Sequence, residues 1–194
     1  MNSPISLAII FEAACFWEQR GFEKTTVPGY VDEDVMSKTC PADVRDGRIK
    51  QPNGKSAVAS AEQSFLQLEK DGILPDGKLQ ALTPCYRDEA ELDDIHQNVF
   101  LKLELYKPTK DKKTGDRESL EMAREMTHLL NHLGLDFDNM VIISENGGYD
   151  VKYRGVELGS YGARQNLSGD WYVYGTGLAE PRTSLALEKA SLRK

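Results

Sequence analysis

The stretch LQALTPCYRDEAELDDIHQNVFLKLELY, residues 79–106, decides the fold. Its first part, 79–87, is predicted to be a strand. Its last part, 99–106, alternates between leucine and charged residues, which is typical of a strand with one buried face. The residues between them are few enough for a hairpin. The stretch therefore predicts two paired strands whose ends carry an arginine, two acids, a histidine and an aromatic ring.

Around this hairpin, predicted helices and strands are mixed without the regular alternation of a parallel sheet. Apolar residues three and four apart predict helices over 5–21, 62–70, 119–133 and 182–192, while alternating segments predict strands over 22–27, 140–144, 149–153 and 171–174. Ser119 is expected to cap the third helix, after a solvated loop over 108–117. We therefore expect an α+β fold, a mainly antiparallel sheet flanked by helices.

Length and composition limit the class of protein. The 194 residues predict one domain, 1–194, and the net charge of −7 argues against a surface that grips DNA. The three cysteines form no metal-binding or disulfide pattern, and no apolar run reaches the roughly 20 residues that cross a bilayer. We expect a cytoplasmic protein that is not membrane-bound.

The side chains at the two strand ends suit a nucleotide. A guanidinium can bind a phosphate, a carboxylate can accept from an amino group, and an aromatic ring can stack on a purine. Charged hairpins are also common in proteins that bind no nucleotide. The spacing of these residues favours the nucleotide interpretation.

That spacing resembles motif 2 of the class II aminoacyl-tRNA synthetases, in the letters RDE at 87–89 and HQNVF at 96–100. The letters GTGLAEPR at 175–182 are similar to motif 3, and the helix and strand that end at Pro28 resemble motif 1. The segments 60–63 and 156–164 resemble two further pieces of the family pattern. The resemblance implies the core fold shared by these synthetases and biotin ligases, here without an anticodon-binding domain.

The resemblance implies binding of ATP and Mg²⁺, with Arg87 and Arg182 as the catalytic pair. The resemblance implies that Arg87 binds the α-phosphate, that His96 lies near the outer phosphates and that Glu157 binds the metal. Glu89 would accept from the adenine amino group, and Phe100 would stack on one face of the adenine. Arg182 would contact the other ring face and the γ-phosphate. The alternative roles are a structural salt bridge for each arginine, a solvated side chain for His96, a core residue for Phe100 and a surface carboxylate for Glu157.

The amino-acid pocket follows from the same resemblance. Its implied substrate-binding residues are Ser60, Glu62, Glu104, Tyr149 and Ser160. The resemblance implies that Glu62 pairs with the substrate ammonium, with Ser60 beside it, and that Glu104 lies near the substrate or the metal. Ser60 and Glu62 could instead, or also, form a helix-capping pair. Such a pocket suits a small or polar side chain better than a large apolar one.

The function that follows is ATP-dependent activation of an amino acid, or a similar carboxylate, as an acyl-adenylate with release of pyrophosphate. The acyl group would then pass to a tRNA or a protein acceptor. The alternative is a non-catalytic synthetase paralogue that binds a nucleotide or amino acid.

Motif 1 implies a homodimer through the Pro28 segment. A metal site at His128 and His132 and a nucleophilic Cys85 are weaker interpretations.

Overall fold

The computed structural model describes residues 5–40, 49–88 and 92–192, and within these ranges the chain forms five α-helices and nine β-strands. The helices are α1 (Leu7–Glu18), α2 (Glu33–Thr39), α3 (Ala61–Lys70), α4 (Lys112–His132) and α5 (Arg182–Ser191). The strands are β1 (Glu23–Lys24), β2 (Tyr30–Val31), β3 (Ser56–Ala57), β4 (Leu79–Tyr86), β5 (Val99–Pro108), β6 (Met140–Glu145), β7 (Gly148–Tyr153), β8 (Val156–Gln165) and β9 (Trp171–Glu180).

Seven strands form one sheet in the order β1-β4-β5-β9-β8-β7-β6. Every neighbouring pair is antiparallel except β1 with β4, which is parallel. The two remaining strands, β2 and β3, pair with each other outside this sheet. The predicted α+β fold, with a mainly antiparallel sheet flanked by helices, is confirmed.

The alternation along β5 divides its side chains between two cores. Leu103 and Leu105 pack with α1 and α4 on one face, where each fully buried leucine contributes about 1.5–3 kcal/mol. Tyr106 packs with α2 and α3 on the other face. Lys102 and Glu104 share the face of Tyr106, so the strand directs their charges into the space between the sheet and α3.

Two β-bulges interrupt the sheet beside that space. Between β7 and β8, Val151 pairs with Gly159 but Lys152 pairs with Glu157, which leaves Leu158 as the extra residue. The bulge shifts the alternation by one residue, so Glu157 and Ser160 reach the same side of the sheet. A second bulge lies between β5 and β9, where Leu103 pairs with Leu178 and Glu104 with Thr176.

The start of α4 differs from the prediction. The helix begins at Lys112 and is capped by the Asp111 side chain, which accepts a hydrogen bond of 2.8 Å from the Thr114 N–H. Ser119 lies inside the helix, donating to the Gly115 carbonyl at 2.7 Å. The first turn packs on the sheet through Gly115, whose missing Cβ would lie 2.6 Å from Ala163. Because glycine adds no apolar side chain to the helical spacing, the sequence pattern did not predict this turn.

Helix α2 was not predicted at all. It has only seven residues, two of which, Val35 and Met36, are buried. Such a short helix has too few turns for its apolar spacing to be distinguished from that of a loop. No helix in the described ranges combines the length and apolar character that a membrane crossing requires.

Candidate functional site

Two connected cavities lie at the end of the sheet where β5, β8 and β9 meet α3 and α5. We call the first the recess; its volume is about 40 Å³. The second, which we call the chamber, has a volume of about 430 Å³. Arg87, Lys102 and Glu157 line both cavities, so the two form one continuous cleft.

The recess brings together the two arginines of the predicted catalytic pair. Arg87 follows β4 and has its guanidinium carbon 5.0 Å from the centre of the Phe100 ring, in cation–π contact. Arg182 is the first residue of α5, and its Nη1 lies 3.6 Å from the Glu157 carboxylate. All four of these side chains line the recess. Residues carried by β5 and β8, by the end of β4 and by the start of α5 thus converge on one small space.

The first turn of α5 is hydrogen-bonded by a carboxylate at the end of the preceding strand. Glu180, which is buried at the end of β9, accepts hydrogen bonds from the N–H and the hydroxyl of Ser184 at 3.1 and 2.7 Å. Burial raises the pKa of Glu180, while the bonds from Ser184 oppose that shift. This carboxylate fixes the first turn of α5 and hence the position of Arg182 beside the recess.

The chamber floor is a network of charged and phenolic groups. Glu62 on α3 is only 7% exposed, and its two oxygens lie 3.3 and 3.2 Å from Nη1 of Arg164. The Tyr172 hydroxyl donates to the same carboxylate at 2.8 Å, and Arg164 donates to the Tyr174 hydroxyl at 3.2 Å. Burial raises the pKa of Glu62, and the charge of Arg164 opposes that shift.

The chamber wall on β5 carries a second ion pair. Lys102 lies 3.0 Å from Oε1 of Glu104, whose side chain is only 1% exposed. The other oxygen, Oε2, has no hydrogen-bond partner among the described residues. A buried carboxylate oxygen without a partner is costly, so this atom is suited to receive a donor from a ligand.

Ser60 and Ser160 complete the predicted chamber residues. Ser60 caps α3, its hydroxyl accepting from the Glu62 N–H at 3.2 Å, so the capping interpretation is correct for Ser60. The Glu62 carboxylate takes no part in the cap, because it binds Arg164 and Tyr172, and both residues line the chamber. Ser160 lines the opposite wall and hydrogen-bonds the Asp150 side chain.

No protein-family model and no curated protein matches the sequence. Solved structures do match. The structure of PylSc, a pyrrolysyl tRNA synthetase of Desulfitobacterium hafniense, has a TM-score of 0.75 and 18% identity, covering 94% of this chain and 69% of that one. A crystal structure of pyrrolysyl-tRNA synthetase from the same organism gives a TM-score of 0.70 with the same identity and coverage. The chain has the fold of a class II aminoacyl-tRNA synthetase catalytic core.

On this class II synthetase fold, three of the predicted site residues lie apart from the cleft or outside the described ranges. Glu89 lies outside the described ranges. His96 is half-exposed and 3.0 Å from Asp93, and its neighbours Ile95 and Gln97 line the recess instead. Tyr149 pairs with Tyr161 and packs against the core on the α4 side, because alternation along β7 turns it away from the chamber.

The chamber lining also includes residues for which the sequence predicted no role, among them Lys102, Arg164 and Tyr174. Lys102 could have been found, because it shares a strand face with Phe100 and Glu104. Arg164 shares a face with Ser160 by the same rule, but its partner Glu62 lies on a distant helix that no local pattern connects to it.

Cys85 and the two histidines are not part of the site. Burial raises the pKa of the Cys85 thiol to about 11, so the thiolate needed for nucleophilic attack is scarce at neutral pH. His132 binds Glu12 at 2.8 Å, while His128 packs edge-on against Phe137. The described residues contain no group of three metal-binding side chains.

Proposed function

We propose that the protein activates an amino acid, or a similar carboxylate, as an acyl-adenylate at the expense of ATP. The observation that carries this proposal is the convergence of Arg87 and Arg182 on one recess that opens into a polar chamber. The phosphates and the adenine of ATP would bind at the recess, and the carboxylate substrate would bind in the chamber. The synthetase fold supports this assignment.

The reaction needs alignment and charge stabilisation rather than a protein nucleophile. A carboxylate oxygen attacks the α-phosphorus, a new P–O bond forms, and the bond to the departing pyrophosphate breaks. Arg87 lines both cavities, so its guanidinium can stabilise the negative charge that develops between them. Because Arg87 covers the Phe100 ring in this structure, a purine stacked on that ring would take the place of the guanidinium.

Mg²⁺ would supply charge neutralisation to the phosphates when bound. Glu157 is the carboxylate that could hold it, since it lies at the junction of the two cavities. One carboxylate together with phosphate oxygens and water is a usual set of Mg²⁺ ligands. Glu157 is also within 3.6 Å of Arg182, so it would link the metal to the second phosphate-binding arginine.

Glu104 is the best candidate to receive the substrate ammonium. Its Oε2 atom is buried and lacks a partner among the described residues, whereas Glu62 is already bound by Arg164 and Tyr172. We therefore propose Glu104 for the ammonium and retain Glu62, Ser60 and Ser160 as residues around the substrate side chain. Lys102 pairs with the other oxygen of Glu104, Oε1, at 3.0 Å and leaves Oε2 for the ammonium.

The acceptor of the acyl group is proposed to be a tRNA or a protein. We further propose a cytoplasmic homodimer through the Pro28 segment. Pro28 is held against α3 by the Ser64 hydroxyl, which donates to its carbonyl at 2.7 Å. Helix α1, which belongs to the same motif 1 resemblance, exposes Leu7 and Phe11, two large apolar side chains one turn apart, which a second copy of the chain would cover.

The test is exchange of labelled pyrophosphate into ATP, measured with each of the twenty amino acids. At least one amino acid should support exchange that depends on Mg²⁺. ATP binding with no exchange across the whole panel would contradict the proposal and favour the non-catalytic paralogue. Exchange should survive in Arg117→Ala, a control at an arginine that is 69% exposed on α4.

A further inference from the structure

We infer that the chamber selects an amino acid whose side chain is neutral and carries a hydroxyl or carboxamide group, and that the Glu62–Arg164 pair enforces this choice. The inference rests on the proposed function, since it names the substrate class of the same cleft. It follows from how the charges of the chamber are matched to one another.

The floor holds two opposite charges that already satisfy each other. The Glu62 carboxylate accepts from Arg164 and from the Tyr172 hydroxyl, and Arg164 lies 4.2 Å from the Tyr174 ring centre as well as bonding its hydroxyl. A carboxylate on the substrate would meet Glu62 beside Arg164, and an ammonium would meet Arg164 beside Glu62. Either group would bring an unmatched charge next to the buried Glu62 carboxylate, which is unfavourable.

The other end of the chamber accounts for the charges that every amino acid carries. Glu104 offers an unpartnered oxygen to the ammonium, and Arg87 at the mouth faces the carboxylate. Lys102 balances Glu104, and Glu157 is balanced by Arg182. The remaining charged group of the lining, Asp88, is exposed to solvent at the mouth. Apart from the exposed Asp88, each charged group of the described lining thus has an opposite charge beside it or a group of the amino-acid backbone assigned to it.

The lining is also unsuited to an apolar side chain. Ser60, Gln63, Ser160 and the Tyr174 hydroxyl surround the space, with only small apolar neighbours such as Ala59. The Arg164 guanidinium has five N–H donors, more than its contacts with Glu62 and Tyr174 use. A hydroxyl or carboxamide oxygen can accept from such a donor without adding charge, whereas a hydrocarbon would leave it unsatisfied.

The first experiment measures exchange and binding over the same panel of amino acids. We expect serine, threonine, asparagine or glutamine to give the highest kcat/KM, about 100-fold or more above any apolar or charged amino acid. The melting temperature of the unmodified protein, measured with each amino acid, provides a readout that does not require catalysis.

The two readouts separate the failure of this inference from the failure of the proposed function. Thermal stabilisation by neutral polar amino acids without any exchange would refute adenylation and support the inference. Exchange that is best with an apolar or charged amino acid would support adenylation and overturn the inference. If no amino acid supports exchange and no neutral polar amino acid raises the melting temperature, both the proposed function and this inference are overturned.

The second experiment changes the charge of the floor. Glu62→Gln leaves Arg164 without its partner, so the ratio of aspartate or glutamate binding to neutral amino-acid binding should rise about tenfold or more. Arg164→Gln should shift the preference in the opposite direction, toward lysine and arginine. A variant that is folded by circular dichroism and retains the original preference would overturn the role of the pair.

A matched control is available elsewhere in the chain. Glu118 on α4 pairs with Lys107 at 2.9 Å and is 15% exposed, on the face of the sheet away from the chamber. Glu118→Gln breaks a comparable ion pair, so it should lower stability without changing amino-acid preference. A change of preference in this control equal to that in Glu62→Gln would show a general effect of lost stability and overturn the inference.

Discussion

Replacing Arg87 by alanine separates the chemistry of the cleft from the stability of the fold. The Arg87 side chain is exposed, and its guanidinium carbon lies 5.0 Å from the centre of the Phe100 ring. A cation–π contact at an exposed site contributes about 0.5–1 kcal/mol. For a chain of this size, a loss of about 1 kcal/mol lowers the melting temperature by about 2–4 °C.

The expected loss of activity is much larger. A preorganised donor that stabilises transition-state charge contributes about 10²–10³ in rate, equivalent to about 2.7–4 kcal/mol. Arg87→Ala should therefore reduce amino-acid-dependent pyrophosphate exchange by about 100-fold or more while the melting temperature changes little. Arg87→Lys should recover part of the rate, because it keeps the charge but loses the paired N–H donors.

Steady-state exchange with the best amino acid, alongside thermal melts of each variant, measures both quantities. Arg117→Ala serves as the control for loss of an arginine. Exchange by Arg87→Ala at the rate of the unmodified protein would refute the placement of the phosphate site. A fall in exchange that is matched by a melting temperature lower by far more than 4 °C would refute the separation of the two roles.

Three further predictions concern stability and assembly. Gly115→Ala should lower the free energy of unfolding by about 1–3 kcal/mol in urea titrations, because its Cβ would overlap Ala163; unchanged stability would contradict the close packing of α4. The hydrogen bond from Lys70 lowers the pKa of Asp32 from 3.8 to about 2, so its contribution to stability is present above pH 3.8 and is lost as the pH falls toward 2. Asp32→Asn should remove that part of the pH dependence, and an acid titration of stability with the same slope in both proteins would count against the pair. Phe11→Asp should convert the proposed dimer to a monomer in sedimentation experiments, whereas a monomeric unmodified protein at micromolar concentration would exclude that interface.

Local patterns in the sequence were enough to predict much of the sheet. Alternation over 99–106 correctly separated the leucines from Lys102 and Glu104, and the antiparallel pairing of β4 with β5 followed from the short connection between them. The capping of α3 by Ser60 was also correct, because the serine and the helix it caps are adjacent in the chain. These features depend on residues within one strand, one hairpin or the first turn of one helix.

Other features depend on contacts that the sequence does not display. The α4 start was wrong because a glycine contact with β8 replaces the expected apolar residue, and Tyr149 lies on the opposite face of the sheet from the chamber. The bulge at Leu158 decides that Glu157 and Ser160 share one side, which strict alternation would not predict.

The sequence by itself determined the class of fold, through short-range periodicity, and its resemblance to motifs 2 and 3 predicted the two arginines that line the recess. Only the tertiary structure decided which charges oppose each other in the chamber. Glu62 and Arg164 are separated by 102 residues, and their contact exists because α3 packs over β4 and β5 on the sheet face to which Arg164 of β8 also points. Pairing across such a distance is set by the packing of whole elements, so no local pattern can specify it.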